Sequence, residues 1–179
     1  MNPKPFCFNK SRVKAFVLGA DPTNYSDKGN RAELTYAFGI GQNPNYFRAI
    51  LNNLNLLDIH LEDVYIQNLL SGYQEKETGK NKDFIEKGKA YASLVASEFN
   101  KVDPTKKIPV FLTAEDIYKA LIKNGEDIFS AESIYQLAAE CPMKASSNLL
   151  DRPLIPLYRH IKYDLSKWSD YYNHIKNNL

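Results

Sequence analysis

Short apolar runs separated by amphipathic stretches form the main pattern along the chain. Four runs that end in polar residues have the length and β-rich composition of buried strands: residues 14–18, 62–67, 108–113 and 153–158. Apolar residues recur at helical spacing over residues 45–57, 83–100, 114–123, 130–140 and 167–177. Strands that alternate with helices predict a parallel sheet covered on both faces. We therefore expect an α/β protein, a three-layer α/β/α fold around a four-stranded, mostly parallel sheet.

Polar residues at the ends of these segments indicate where helices begin and where loops lie. Ser130 is a predicted N-cap for the fourth helix, and Ser166 for the last one, in which Trp168, Tyr171, Tyr172 and Ile175 are candidate buried residues. Residues 19–45 are rich in Gly, Pro, Asn and Asp and predict a long loop, which in a compact domain is often functional. Residues 71–82 are polar and predict a surface loop.

Length and composition predict one domain that spans residues 1–179. With 44% hydrophobic and 25% charged residues, the chain is able to build a core without metals or disulfides. A net charge of +2 neither requires nor excludes a nucleic-acid partner, because a local basic face does not need a basic total.

The cysteines and histidines give no sign of a metal centre. Cys7 and Cys141 are far apart and form no CxxC motif, and His60, His160 and His174 lack metal-ligand spacing. We therefore expect no metal and no cofactor. Neither a signal-peptide core nor an apolar run of membrane-spanning length is present, so we expect a cytoplasmic monomer that does not bind membranes.

Three polar residues follow predicted strands at the positions where parallel sheets carry their ligands. Asp21, Asn68 and His160 should lie near one sheet edge despite their separation in sequence. Asp21 lies in Gly-Ala-Asp-Pro, where it could orient or deprotonate a water molecule, or simply cap a turn. Asn68 could recognise the edge of a base or satisfy a turn, since an amide both donates and accepts hydrogen bonds. His160 could donate to a developing anion or be structural.

Phe38 lies between glycine and alanine in Ala-Phe-Gly-Ile-Gly. The small neighbours would let a planar base approach the ring, which makes Phe38 a candidate stacking platform. The alternative is an aromatic side chain that fills the core from a loop.

Taken in order, these motifs resemble the uracil-DNA glycosylase superfamily. That family has Gly-x-Asp-Pro after its first strand, a Phe platform in the next loop, an Asn after the second strand and a His after the fourth. The corresponding segments here are GADPT (19–23), AFGIG (37–41), YIQNLL (65–70) and PLYRH (156–160). The C-terminal aromatic helix fits as well, and the resemblance covers roughly residues 5–175.

The resemblance implies a hydrolase that removes uracil or a related damaged base from DNA. Asp21 would position the attacking water and His160 would stabilise the departing base anion. The substrate-binding residues would be Gly19, Ala20, Pro22, Phe38 and Asn68. The basic residues near this cleft that could contact DNA phosphates are Arg31, Arg159 and Lys162.

Departures from the family pattern leave other functions open. The best-known members have Gln-Asp-Pro-Tyr-His in the first motif, whereas this chain has Ala20 before Asp21-Pro22 and then Thr23-Asn24. Where they have Pro-Ser-Pro and a leucine wedge, it has Ile161-Lys162-Tyr163, of which Ile161 or Tyr163 could serve as the wedge. The alternatives are a catalytically inactive nucleic-acid or base-binding protein on the same fold, or an unrelated nucleotide-binding α/β hydrolase.

Overall fold

A parallel sheet organises the part of the chain that the structure, a computed structural model, describes, namely residues 1–23 and 32–179. The strands are β1 (Ala15–Gly19), β2 (Val64–Asn68), β3 (Val110–Leu112) and β4 (Leu154–Pro156). The helices are α1 (Arg48–Leu56), α2 (Phe84–Val102), α3 (Glu115–Leu121), α4 (Ala131–Tyr135) and α5 (Ser169–Asn178). The strand order is β2-β1-β3-β4, and every neighbouring pair is parallel. The predicted α/β class is therefore confirmed, with a sheet that is parallel throughout.

Each residue of the four strands is buried, as expected for a sheet covered on both faces. The register places Gly19 beside Asn68 and Leu112 beside Pro156, so the carboxyl ends of the strands meet at one edge. After β2 the chain crosses to the other side of β1. The strand order thus reverses between β1 and β3, the point at which open α/β sheets usually form a ligand crevice.

Helices cover the sheet on both faces and complete a three-layer α/β/α fold. On one face α2 packs against α3, and Phe16 of β1 stacks on Phe99 of α2 with ring centroids 4.1 Å apart. On the other face α1 packs against the turn that precedes α5, where the buried Asn53 Oδ1 accepts a hydrogen bond from the Leu165 N–H at 3.1 Å. The predicted burial of Tyr171 and Ile175 is confirmed, whereas Trp168 and Tyr172 are only half-buried.

Helix capping agrees with the sequence in one case and differs in the other. The Ser130 hydroxyl accepts from the Ser133 N–H at 3.1 Å and caps α4, as predicted. The prediction that Ser166 caps the last helix was wrong. Asp164 accepts hydrogen bonds from the N–H and the hydroxyl of Ser166, which holds Ser166 inside a short 3₁₀ turn. Helix α5 then begins after Trp168, with no side-chain cap.

A buried ion pair joins the amino ends of β3 and β4. Arg152 is fully buried and donates to Asp103 Oδ2 at 2.7 Å, while its guanidinium lies 5.0 Å from the centre of the Phe16 ring. Burial alone would raise the pKa of the Asp103 carboxyl. Hydrogen bonds from Thr105, Ile108 and Arg152 outweigh that effect and hold the pKa well below its usual value. The pair lies at the edge of the sheet opposite to Asn68, so its role is structural.

Candidate active site

Backbone hydrogen bonds join the GADPT segment (19–23) to the YIQNLL segment (65–70) beyond the ends of β1 and β2. The Leu69 N–H donates to the Gly19 carbonyl at 2.7 Å, and the Leu70 N–H donates to the Ala20 carbonyl at 2.9 Å. These bonds extend the β1–β2 pairing past Gly19 and Asn68. They fix the backbone that carries Asp21 relative to the backbone that carries Asn68.

Gly19, Phe38 and Asn68 meet at this edge. A Cβ atom placed on Gly19 would lie 2.6 Å from Phe38 Cζ and 2.7 Å from Phe38 Cε2, and it would also clash with Asn68 Oδ1. Only glycine lets the ring and the amide approach the strand end this closely. Three residues predicted separately from the sequence therefore form one cluster, which we call the Gly19 cluster.

The backbone of Phe38 adopts an unusual conformation. Its φ of 57° lies in the left-handed region, which costs a non-glycine residue free energy, and Gly39 follows with φ 61°. The ring packs against Phe47 with centroids 5.3 Å apart, yet Phe38 is only half-buried. The ring is thus supported from one side by the core and is partly open, and its use as a stacking platform stays a prediction.

Asn68 carries a nearly buried amide at the end of β2. The residue is 9% exposed. No hydrogen bond to its amide occurs among residues 1–23 and 32–179, although it is not sealed from solvent. Buried polar groups are normally paired, and one without a protein partner calls for an explanation such as a functional role or a bound water molecule. This side chain can donate and accept at once, as recognition of a base edge requires.

Asp21 follows the Gly19 cluster and is held at both carboxylate oxygens. Oδ1 accepts from the Thr23 N–H at 2.7 Å, and Oδ2 accepts from the Thr78 hydroxyl at 2.5 Å. The first bond is the turn-capping contact that was the alternative for Asp21. Each oxygen keeps a further lone pair, so the half-buried carboxylate still has room to accept from a water molecule.

No sequence pattern indicates the role of Thr78. It lies in the polar segment 71–82, which the composition marked only as a surface loop. A second contact, from the Gln74 N–H to the Thr23 hydroxyl at 2.6 Å, fastens the same segment to the Asp21 turn. These contacts bring together residues more than 50 positions apart, and no local pattern reports such a pairing.

His160 follows β4 and is exposed. Its Nδ1 accepts from the Lys162 N–H at 3.2 Å, so the neutral ring carries its proton on Nε2, which is then the available donor. Strand β4 lies two strands from β1, or about 10 Å at the usual spacing of strands. No hydrogen bond links His160 with Asp21, both of which lie in the described part of the chain. Their joint action in one site stays a prediction.

Thr113 connects the ends of the strands between Asp21 and His160. Its N–H and hydroxyl both donate to the Leu18 carbonyl, at 3.2 and 3.0 Å, and its own carbonyl accepts from the Arg159 N–H at 3.0 Å. Thr113 therefore sets the spacing of the β1, β3 and β4 ends. No sequence pattern predicts this role.

The three basic residues predicted to contact DNA differ in their surroundings. Arg159 is exposed, and in the described structure no carboxylate pairs with its guanidinium. Lys162 pairs with Glu132 at 2.9 Å, and this interaction raises the pKa of the lysine. Arg31 lies outside the described residues.

The two candidate wedge residues also differ. Ile161 is 72% exposed, in the turn that follows His160. Tyr163 is half-buried among aromatic rings, with its centroid 4.7 Å from that of Tyr135 and 5.6 Å from that of Tyr158. Burial raises the pKa of Tyr158, which stays a neutral phenol. Of the two candidates, Ile161 is the one whose side chain projects into solvent.

Comparison with known proteins adds no assignment. No protein-family model matches the chain, and no curated protein matches it. Across residues 1–23 and 32–179, no group of three or more His, Cys, Asp or Glu side chains is placed to hold a metal ion. In that same portion, no helix has both the length and the apolar character needed to cross a membrane.

Proposed function

We propose that the protein is a DNA base-excision hydrolase that cleaves the N-glycosidic bond of uracil or a related damaged base. The observation that carries the proposal is the Asn68 amide, which has no hydrogen-bond partner among residues 1–23 and 32–179. It lies with the ring of Phe38 against Gly19, where only glycine leaves room for both side chains. An aromatic face and an amide edge are the two contacts that bind a flipped base.

The proposed reaction uses water as its second substrate. The bond between C1′ of the sugar and the base nitrogen breaks, and its electron pair leaves with the base. Asp21 holds the attacking water and favours the positive charge that develops on the sugar, as carboxylates do in glycoside hydrolysis. The water oxygen bonds to C1′, and the proton that it loses passes to the Asp21 carboxylate. His160 Nε2–H donates to the departing base anion.

A base-binding protein without hydrolytic activity is the second candidate. The observation that favours it is the Asp21 carboxylate, each oxygen of which already accepts one structural hydrogen bond, from Thr23 or from Thr78. In that case Asp21→Asn leaves DNA affinity unchanged, and the wild-type protein releases no base.

Substitution of Asn68 tests the proposal most sharply. We expect Asn68→Leu to lower kcat/KM for uracil release by at least about 100-fold, because the base loses its polar partners. Gln67→Leu is the matched control. It removes an amide that is 7% exposed from the neighbouring position, which faces the other side of the sheet. Equal rates for the two folded variants would remove Asn68 from the base site.

A further inference from the structure

A surface cavity lies beside the Asp21 turn but does not include Asp21. It has a volume of about 470 Å³ and lies between the loop that begins at Tyr73 and the first turns of α2. Its charged lining consists of Glu75, Asp83 and the lysines 76, 80, 82 and 87. The four lysines outnumber the two acids, so the cavity carries an excess of positive charge.

Most of these lysines are not neutralised by ion pairs. In the described part of the protein, no carboxylate pairs with Lys76, Lys82 or Lys87. Lys87 Nζ donates instead to Gln74 Oε1 at 3.3 Å. Lys80 lies 3.8 Å from Glu77, but both side chains are exposed, and such a pair contributes little. Ammonium groups gathered around one cavity repel each other, and a bound anion would offset that repulsion.

Hydrogen bonds hold the cavity wall in a fixed position relative to the candidate active site. Gln74 lines the cavity, and its N–H donates to the Thr23 hydroxyl at 2.6 Å. Thr78, which lies between the cavity-lining segments, donates to Asp21. An anion in the cavity would therefore lie beside the turn that carries Asp21.

We propose that this cavity binds phosphate groups of the DNA strand next to the extruded nucleotide. Its volume is many times the roughly 30 Å³ share of a water molecule, which leaves room for a phosphate with its sugar. The choice of a phosphodiester as the source of the phosphate rests on the proposed function. Several ammonium groups around an anion would recognise free phosphate and nucleoside triphosphates by the same chemistry.

The test measures equilibrium binding of a labelled single-stranded oligodeoxynucleotide that contains only normal bases, over a range of salt concentrations. We expect the double variant K76Q/K82Q to bind several-fold more weakly. Each lost lysine contact should reduce the magnitude of the salt slope, d log K/d log[salt], by about 0.7. K10Q/K107Q is the matched control. It removes the same charge from two exposed lysines on the segments that lead into β1 and β3, away from the cavity.

Base release from a uracil-containing oligonucleotide separates this proposal from the proposed function. If the wild-type protein binds DNA through these lysines but releases no base, the excision activity fails and the phosphate site stands. If base is released and K76Q/K82Q matches K10Q/K107Q in affinity and salt slope, the phosphate site is overturned. If the protein both releases base and binds DNA phosphates in this cavity, K76Q/K82Q should raise KM for the uracil-containing oligonucleotide more than it lowers kcat.

Competition identifies the source of the phosphate. Inorganic phosphate and a nucleoside triphosphate are added in separate titrations against the labelled strand. We expect phosphate and the triphosphate to displace the labelled strand only at concentrations far above the concentration at which an unlabelled oligonucleotide displaces it. Lysine-dependent binding of the triphosphate without any binding of the oligonucleotide would overturn the assignment to the DNA backbone.

Discussion

The Thr78 hydroxyl donates a hydrogen bond of 2.5 Å to the Asp21 carboxylate, across 57 positions of the sequence. With the bond from the Thr23 N–H, it fixes the carboxylate in two directions. If Asp21 holds a water molecule, Thr78 is a positioning residue for that water, since the direction of the remaining lone pairs depends on it.

Loss of the Thr78 hydroxyl should therefore slow base release with little effect on DNA binding. We expect Thr78→Val to lower kcat by about 10-fold, less than the loss of about 100-fold or more expected for Asp21→Asn. Thr78→Ser, which keeps the hydroxyl, should restore most of the rate. Steady-state kinetics on a uracil-containing oligonucleotide measures both. If Thr78→Val keeps the wild-type rate while Thr78→Ser is slow, methyl packing rather than the hydrogen bond is what Thr78 contributes.

A methyl group at position 19 should block the base site. The Cβ of Gly19→Ala would meet the Phe38 ring at 2.6–2.7 Å, so the ring and the Asn68 amide would have to move apart. We expect binding of a uracil-containing strand to weaken by about 1–3 kcal/mol, the usual contribution of stacking a base on an aromatic ring. Gly79→Ala is the control, because its Cβ would meet nothing within 4 Å. Similar affinities for the two variants would show that no base enters the Gly19 cluster.

The Asp103–Arg152 pair should make the fold sensitive to acid. The pKa of Asp103 is lowered in the folded protein, so its contribution to stability is complete only at pH values well above the unfolded pKa near 4. It begins to decline near pH 5 and is lost as the pH falls toward the folded pKa. Asp103→Asn leaves Arg152 buried without its counter-charge, which should cost about 3–5 kcal/mol at pH 7.

Urea unfolding at several pH values measures this effect. The free energy of unfolding of Asp103→Asn should fall less steeply below pH 5 than that of the wild type. A control variant, Asp170→Asn, removes an exposed carboxylate and should retain the wild-type slope. Parallel wild-type and Asp103→Asn curves would mean that the pair does not govern acid stability.

The sheet was predictable from the sequence because its signals are local. The run Ala15–Gly19 is buried throughout, and its apolar residues stop where the strand stops. The same is true of β2, which ends at Asn68. Alternation of strands with helices then indicated a parallel sheet. In such a sheet the carboxyl ends of all strands lie at one edge, so the position of that edge could be predicted as well. Helix ends were harder to predict. Asp164 and Ser166 are both suitable cap residues, and it is Asp164 that accepts the hydrogen bond from the Ser166 N–H.

The proximity of the candidate site residues was predictable only where they lie on strand ends. Gly19 and Asn68 are neighbours in the β1–β2 register, so their proximity follows from the sheet. Phe38 reaches them through a left-handed backbone that no periodicity reveals. Thr78 and the cavity lysines come from a polar loop whose position depends on hydrogen bonds to Thr23 and Asp21. Such contacts join distant segments and leave no spacing pattern in the sequence.

The most direct test of the central claim is base release from end-labelled single- and double-stranded oligonucleotides that carry uracil, with alkaline strand scission as the readout. The proposed mechanism predicts scission by the wild-type protein that is strongly reduced in Asp21→Asn and in His160→Ala, with both variants folded. Absence of scission by the folded wild-type protein on both substrates would contradict uracil excision. Undiminished scission by both variants would contradict the roles given to Asp21 and His160.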